Sequence, residues 1–302
     1  MKTKSDTPRM DHDTLVSQQY QKRSQIADVW QRLKKNKGAL VGLFIIAMIL
    51  LMALYSLLFI NYTSVTAMNV SERMQGPSLK HPFGTDESGR DMLVRVIYGS
   101  QYSVVIGIGS TVISLIVGSS LGSLAGFYGG LVDDLISRAA DILSSIPSTL
   151  LGMVIIIAIG PSLRNLVIAV SINAIPVFVR MSRSSVMTVR SQEYVEAAKA
   201  IGMSNTKIIF AQVLPNGLSP LIVTTTARMG GAIMEAAALS FLGFGVSVPM
   251  PEWGALISGG RTHIRTSGYL TFFPGIMIML VVLAFNLMGD GLRDALDPKL
   301  RR

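Results

Sequence analysis

Residues 38–60 read GALVGLFIIAMILLMALYSLLFI, a run of 23 residues that contains no charged side chain. A helix of roughly 20 apolar residues is long enough to cross the hydrocarbon core of a bilayer, which is about 30 Å thick. Backbone groups find no water there, and a helix satisfies them within the segment itself. This stretch therefore predicts a transmembrane helix.

Five further stretches continue the pattern along the chain. Three of them are also free of charge: 98–132, 142–163 and 266–289. The other two are 165–179, bounded by Arg164 and Arg180, and 213–244, interrupted by Arg228 and Glu235. Arginines at the ends of a short span can extend toward the lipid headgroups. The sequence thus predicts an all-α membrane protein with six transmembrane helices.

The composition of the whole chain agrees with this prediction. Half of the 302 residues are hydrophobic, only 15% are charged, and the mean hydropathy is +0.49. Soluble domains carry about 25% charged residues, so this chain has too few charges to cover a water-facing surface. The net charge of +9 comes from basic residues that flank the apolar runs, which indicates lipid headgroups rather than nucleic acid as their partner. Because the chain has no cysteine, disulfides and thiolate metal sites are excluded.

The distribution of basic residues predicts the orientation in the membrane. Residues 1–39 carry nine Lys/Arg against four Asp/Glu and lack the apolar core of a secretory signal. Residues 181–212 carry four basic and two acidic residues, whereas 61–97 is balanced, with four of each. The C-terminal tail is also basic, with Arg293, Lys299, Arg301 and Arg302. Since cytoplasmic segments are enriched in Lys and Arg, we expect both termini and the 181–212 loop in the cytoplasm.

Three local patterns refine this picture. Ile26, Val29, Trp30 and Leu33 fall on one helix face, which predicts either a helix on the inner leaflet or an ordinary packed helix end. A ladder of glycines at 118, 122, 126 and 130 predicts close packing of another helix on the second span. Residues 81–91, HPFGTDESGRD, combine a proline, two glycines and clustered charges, which predicts an ordered turn.

The loop after the fourth predicted span predicts two short helices. Residues 191–200 are rich in helix formers, and Gly202 is a natural stop. Ser204 or Asn205 can then cap a second helix that ends near Pro215. The result is a helix–turn–helix bracket projecting from the membrane, whose small alanines allow a partner surface to come close.

No catalytic or metal site emerges from the motifs. The chain has no G-x-x-x-x-G-K-[ST] phosphate loop, and its histidines, His12, His81 and His263, all lie outside the predicted spans. Residues 118–122, GSSLG, match G-x-S-x-G but lie inside a predicted membrane helix without a histidine base. A membrane-embedded hydrolase, the competing class of function, is thus left without a base.

At the loop the chain resembles the permease subunits of ABC importers. Their cytoplasmic signature is E-A-A, three residues, Gly, nine residues, Ile, one residue, Leu-Pro. The residues that match it in register are Glu196, Ala197, Ala198, Gly202, Leu214 and Pro215, while Gln212 stands at the isoleucine position. Residues 30–42, 83–91, 214–216, 239–243 and 251–254 also look like the C-type permease of dipeptide, oligopeptide and nickel importers. The resemblance therefore covers nearly the whole chain.

This resemblance implies a type I ABC importer permease in a bacterial or archaeal inner membrane. Such a subunit pairs with a homologous B-type permease above two ATPase subunits, and an extracytoplasmic binding protein delivers the substrate. ATP and Mg would be bound by the ATPases, so this chain is expected to be neither an enzyme nor a holder of any cofactor. The six matching loop residues are expected to form the coupling helix that docks into an ATPase. The expected substrate is a peptide, and a nickel or metal-chelate importer is the alternative within the class.

Two charged residues in the fifth predicted span are candidates for the substrate pathway. Arg228 and Glu235 are seven residues apart, so they share a helix face and lie about 10 Å apart along its axis. Ionisable groups inside a membrane usually face a water-filled path or a partner. Pathway lining and a structural pair with another helix both remain open for them.

These features divide the chain into four parts. Residues 1–37 form a cytoplasmic segment with an interfacial helix, and 38–97 hold the first span and the outer segment. Residues 98–292 form a five-helix core that contains the coupling loop 190–215, and 293–302 form a cytoplasmic tail.

Overall fold

The computed structural model describes residues 25–296. The predictions that concern His12, the rest of residues 1–24, and the basic residues Lys299, Arg301 and Arg302 lie outside this range. The α-helices in chain order are α1 Gln25–Leu33, α2 Lys37–Phe59, α3 Tyr62–Thr66, α4 Met92–Tyr128, α5 Gly130–Ser145, α6 Ser148–Ile159, α7 Leu163–Val189, α8 Glu193–Ala200, α9 Asn205–Ile208, α10 Leu214–Asn216, α11 Leu218–Phe241, α12 Trp253–Gly260 and α13 Tyr269–Leu296. A π-helical turn, Ile209–Val213, joins α9 to α10, and 3₁₀ turns occupy Val70–Glu72 and Arg261–His263.

Within residues 25–296, four helices are individually long and apolar enough to cross a membrane: α2, α4, α7 and α13. Two bent pairs satisfy the same test together. The helices α5 and α6 meet at 93°, and Asn205–Asn216 meets α11 at 68°. Counting each bent pair as one span gives six, the predicted number, and the all-α fold class is confirmed.

The third predicted span, 142–163, is wrong as a single helix. Helix α5 ends at Ser145, and α6 begins only at Ser148, because Pro147 stands between them with an extended backbone (φ −53°, ψ 129°). Proline lacks the N–H that would continue the helix, and its ring clashes with the preceding turn. Helix α6 has 12 residues and is thus about 18 Å long, too short to cross the hydrocarbon core alone.

The fourth and fifth predicted spans differ from the observed helices at their ends. Helix α7 continues ten residues beyond the predicted end at residue 179 and contains Pro176 without ending there. Helix α11 begins at Leu218, since Gly217 separates it from the short helix α10. The helix predicted around residues 26–33 is present as α1, and its Leu33 is buried against Gly291 of α13. Its location on a leaflet stays a prediction.

Helices α4 and α7 make the most extensive contact in the bundle, and the glycine ladder explains it. A Cβ added at Gly118, Gly122 or Gly126 would lie 2.6, 2.3 or 2.7 Å from atoms of α7. Buried hydroxyls reinforce the seam: Ser114 donates to the carbonyl of Ser171 at 2.8 Å, and the Ser123 and Ser182 hydroxyls are 2.9 Å apart. The packing prediction is confirmed for these three glycines. Gly130 lies beyond α4, with φ +53° and open space around it, so it takes no part.

We expect Gly122→Val to lower the unfolding midpoint of the permease fold strongly. A Cβ at this position would lie 2.3 Å from the Val179 carbonyl oxygen, so α4 and α7 would have to separate. Overpacking of this kind costs about 3 kcal/mol. The matched control is Gly109→Val on the same helix, where the nearest atom to an added Cβ is a Val167 methyl at 3.7 Å. Thermal unfolding of the two variants in detergent provides the comparison, and equal midpoints would contradict the account of the seam.

The two ends of the bundle are built differently. One end, the loop end, carries residues 193–216 together with the start of α2 and the end of α13. The other, the turn end, carries residues 67–91, helix α12 and the start of α13. Trp253 of α12 is fully buried there and donates its Nε1–H to the carbonyl of Val96 at 2.9 Å. Its ring joins a core cluster contributed by α2, α4, α11, α12 and α13.

Candidate functional site

The bracket, defined as residues 193–216, has the helix–turn–helix form that the sequence predicts. Gly202 adopts the left-handed conformation with φ +78°. Its N–H donates to the Lys199 carbonyl at 3.0 Å, and the next N–H, of Met203, donates to the Ala198 carbonyl at 3.1 Å. This pair of bonds is the Schellman motif, which closes α8 and turns the chain. Ser204 occupies the N-cap position of α9, although its side chain makes no capping bond.

One face of the bracket is buried against the ends of α4 and α7. Its small core consists of Val186, Val189, Val195, Ala198, Ile208 and Val213, with Phe127 and Met203 packed against them. This packing fixes the bracket on the bundle by apolar burial rather than leaving it as a flexible loop.

The opposite face of the bracket is exposed. Of the six predicted coupling residues, Glu196, Ala197, Gly202 and Pro215 are exposed, Leu214 is half-buried, and Ala198 is buried. Ala198 therefore supports the bracket from inside, while Ala197 lies on its outer surface. Ile201 is 78% exposed and Phe210 is 43% exposed, so the outer face also carries two large apolar side chains that the sequence analysis did not single out.

Three basic residues tie the bracket and the end of α7 to the corner between α4 and α5. Arg190 donates through Nη1 to the carbonyls of Gly126 and Phe127, at 2.7 and 3.1 Å. Arg183 forms a two-pronged ion pair with Asp133 of α5. The Lys199 ammonium lies 5.3 Å from the centre of the Phe127 ring. A displacement of the bracket together with the end of α7 would therefore be transmitted to this corner through these contacts.

Sequence reasoning missed these contacts, although one signal was present. Arg183 and Arg190 are seven residues apart, which places them on one face of a helix directly before the bracket. The corner itself turns through two successive left-handed glycines, Gly129 (φ +68°) and Gly130 (φ +53°). Only the folded bundle shows that the arginines and this corner meet.

The structure gives Arg228 and Glu235 different neighbours. The half-buried Glu235 accepts a hydrogen bond from Nδ2 of Asn173 on α7, and the same nitrogen donates to the carbonyl of Ser148 at 2.9 Å. Glu235 thereby links α11 to α7 and to the first turn of α6. Arg228 instead lines an open cavity of about 430 Å³ between α11 and α13.

The cavity beside Arg228 has polar and charged residues in its wall and continues toward the loop end. Its other polar and charged lining residues are Thr224, Asn286, Asp290 and Arg293. A second cavity of about 480 Å³ shares Val223, Thr224 and Arg293 with it and extends to Met181 and Leu296. Together the two form an open groove along α11 and α13 with charges of both signs.

The turn formed by residues 81–91 is organised around the buried carboxylate of Asp86. Asp86 Oδ1 accepts from the backbone N–H groups of Ser88 and Arg90, both at 2.9 Å. Its Oδ2 accepts from Arg90 Nε at 2.7 Å and from Arg95 Nη1 at 3.0 Å. Asp91 caps α4 by accepting from the N–H of Val94 at 3.0 Å. The ordered turn predicted for residues 81–91 is confirmed.

Comparison with known proteins identifies the family to which a chain with this structure belongs. Residues 118–302 match the family described as binding-protein-dependent transport system inner membrane component. Residues 24–77 match the N-terminal TM domain of oligopeptide transport permease C. The chain belongs to this permease family.

Relatives of the permease align along nearly its whole length. It is 48% identical to a dipeptide transport system permease protein of Alkalihalophilus pseudofirmus over 94% of this chain and 93% of the relative. It is 43% identical to a di/tripeptide transport system permease protein of Pseudomonas aeruginosa, over 92% and 93%. A glutathione transport system permease protein of Pectobacterium atrosepticum is 37% identical over 91% of both chains.

A solved structure supports the fold of the permease. An inward-facing form of the MetNI methionine ABC transporter superposes with a TM-score of 0.55 and 18% identity, covering 68% of this chain and 98% of that chain. The predicted type I ABC importer permease fold is thereby confirmed. The chain is a multi-pass inner-membrane subunit of an ABC importer, and ATP hydrolysis belongs to the partner ATPase.

Proposed function

We propose that this permease forms half of the translocation pathway of an importer for dipeptides and oligopeptides. The observation that carries the proposal is the bracket, a rigidly packed element with an exposed outer face at one end of a membrane bundle. The relatives named for dipeptides, di/tripeptides and glutathione support a peptide over a metal chelate as substrate.

The partners follow from the same proposal. A homologous B-type permease forms the other half of the pathway, and two ATPase subunits, which bind ATP and Mg, lie at the loop end. An extracytoplasmic binding protein delivers the peptide at the turn end. In this arrangement the bracket and both termini are cytoplasmic, in agreement with the basic bias of the segments at the loop end. The permease itself holds no cofactor.

Within the bracket, we assign docking on the ATPase to its exposed residues. Glu196, Ala197, Gly202 and Pro215 present the outer face, with Ile201 and Phe210 as apolar contacts. Ala198 and Leu214 hold this face in place from beneath. An exposed Ala lets the partner approach closely, and large side chains beside it fill the partner's groove.

Uptake by the reconstituted transporter tests the proposed function. Proteoliposomes that contain the permease, its partner permease and the ATPases are expected to accumulate a labelled dipeptide when ATP and the binding protein are supplied. Liposomes prepared without this permease are the control, and they should accumulate none. Accumulation of Ni²⁺ instead of the dipeptide would identify a nickel importer and contradict the assignment of a peptide substrate. Equal dipeptide uptake by liposomes without the permease would contradict the proposed transport function.

Arg228 is assigned to the pathway and Glu235 to the fold. We expect Arg228→Ala to lower dipeptide uptake roughly tenfold, a loss that corresponds to about 1.4 kcal/mol, while the complex still assembles. Glu235→Ala removes the carboxylate that joins α11 to Asn173, so it should lower the unfolding midpoint instead. Arg228→Lys, which keeps the charge, is the matched control. Failure of the Arg228→Ala complex to assemble would show that this residue is structural as well.

A further inference from the structure

Two arginines at the turn end are buried and share one counter-charge. The side chains of Arg90 and Arg95 are 7% and 5% exposed, and both donate to the same oxygen, Asp86 Oδ2. The other oxygen of Asp86 is already occupied by two backbone N–H groups. The buried group of three side chains therefore carries one positive charge in excess.

The hydrogen bonding of the two guanidinium groups is incomplete as well. Within residues 25–296, Arg90 Nη1 and Arg95 Nε are buried and have no hydrogen-bond partner. In the part of the chain that the structure describes, Arg95 Nη2 reaches only the carbonyl oxygen of Pro249, at 3.5 Å. A buried charge without full compensation is strongly destabilising, and guanidinium N–H groups are normally paired when they are buried. The arrangement thus lacks one anionic acceptor.

A cavity of about 70 Å³ lies beside these arginines. Its apolar walls come from Met92, Val248, Met250, Leu256 and Leu270. Glu87 and His263 lie at its edge. The Glu87 side chain is 57% exposed, its Oε2 lies 3.5 Å from His263 Nε2, and within residues 25–296 it forms no ion pair with Arg90 or Arg95, so solvent largely screens its charge from the buried arginines. A cavity of this volume holds a few water molecules or one small anion. Charge interactions are stronger beside apolar walls than in bulk water.

We propose that this cavity binds a single carboxylate group. A carboxylate carries the one negative charge that the two arginines and Asp86 lack, and its two oxygens match the planar fork of a guanidinium. The excess positive charge disfavours a cation. The carboxylate belongs either to a small anion in the medium or to a side chain of a protein that docks at the turn end.

Occupancy of this site connects two parts of the turn end. Arg90 and Arg95 belong to the turn and the start of α4, whereas Leu256, Gly259 and His263 belong to α12 and the segment after it. A bound carboxylate therefore holds the turn against α12. Because only the folded protein offers the site, binding raises the stability of the fold by mass action.

The probe for this site is formate, titrated into the purified full-length permease in detergent. Total ionic strength is held constant with a bulky sulfonate, 2-(N-morpholino)ethanesulfonate, that is too large for the cavity. We expect the unfolding midpoint to rise with the logarithm of the formate concentration once that concentration exceeds the Kd, by roughly 2–4 °C at about five times the Kd. No response to formate, or a response that the bulky anion reproduces, would overturn the proposal.

A cavity-filling variant keeps the test valid even where an arginine variant fails to fold. Gly259 lines the cavity, and an added Cβ there meets no atom within 4 Å, so Gly259→Leu is expected to fill the site with both arginines intact. Gly275→Leu is the matched control, because that helical glycine also has open space and lies away from the cavity. The formate response should vanish in Gly259→Leu and in Arg95→Gln and persist in Gly275→Leu. A full response in Gly259→Leu would contradict the assignment of the cavity.

The source of the carboxylate is tested by repeating the formate titration on the assembled transporter with and without its binding protein. This experiment rests on the proposed function. If a docked binding protein supplies the carboxylate, the formate response disappears when that protein is bound. If the natural occupant is a free anion, the response persists. Either result supports the carboxylate site. The formate titration does not depend on dipeptide uptake, so a failed uptake assay would overturn the proposed function and leave the test of the site unaffected.

Discussion

Replacing Gly202 with valine is expected to abolish dipeptide uptake while leaving the permease in the membrane. Gly202 has φ +78°, a conformation that costs a residue with a Cβ about 1 kcal/mol or more, and a β-branched residue the most. Because the space around it is open, the damage arises from backbone strain and not from a clash. Relief of that strain rotates α8 against α9 and so distorts the outer face of the bracket.

Ala197→Trp tests the same surface without backbone strain. Ala197 is exposed, so the larger side chain is tolerated by the permease but holds an ATPase away from the bracket. The buried neighbour gives a contrast: Ala198→Trp should destabilise the bracket itself, since Ala198 packs against its core. Three quantities are measured for each variant: the amount of permease in the membrane, the ATPase retained through purification, and uptake. Normal retention and uptake in both Gly202→Val and Ala197→Trp would show that the bracket does not couple the subunits.

Replacing Arg190 with alanine is expected to uncouple ATP hydrolysis from transport. Arg190 lies at the end of α7, three residues before the bracket, and joins it to carbonyls in the last turn of α4 through bonds of 2.7 and 3.1 Å. Hydrogen bonds to a charged group contribute about 1.5–3 kcal/mol. Without them, motion of the bracket reaches the α4–α5 corner less directly, and we expect the dipeptide transported per ATP to fall by roughly tenfold.

Two controls separate uncoupling from simple loss of structure. Arg164→Ala removes an exposed arginine from the other end of α7 and should leave the transport ratio unchanged. Arg190→Lys retains the charge with fewer N–H donors, so its ratio should fall between those of the wild type and Arg190→Ala. A fall in ATP hydrolysis equal to the fall in uptake would contradict a role in transmission.

Features that depend on residues close together in the sequence were predictable from it. The first span is observed at Lys37–Phe59 against a prediction of 38–60, because its length and apolarity are properties of that stretch alone. The turn at Gly202 was equally predictable, since a glycine between two helix-forming segments already indicates a helix that ends in a left-handed residue. The glycine ladder predicted a close helix contact, although it could not identify α7 as the partner.

Features that depend on distant residues were not predictable. The end of the fourth span was placed at residue 179 because Arg180 follows, yet α7 continues to Val189. Arg183 is accommodated by Asp133, 50 residues earlier, and Arg180 by Asp141. The third span was misjudged because many membrane helices tolerate a proline, whereas Pro147 separates two helices at 93°. The sharing of Asp86 by Arg90 and Arg95 likewise becomes visible only in the fold.

The most direct test of the central claim is a cross-link between the bracket and an ATPase subunit. The chain contains no cysteine, so single cysteines report on single positions. Ile201→Cys places a thiol on the outer face, where the native side chain is 78% exposed. Leu79→Cys places one at the turn end, where the native side chain is fully exposed. With a short bifunctional reagent, the account predicts that the position-201 thiol joins the permease to an ATPase subunit and that the position-79 thiol does not. A cross-link to the ATPase from position 79, or none from position 201 in a complex that transports dipeptide, would contradict it.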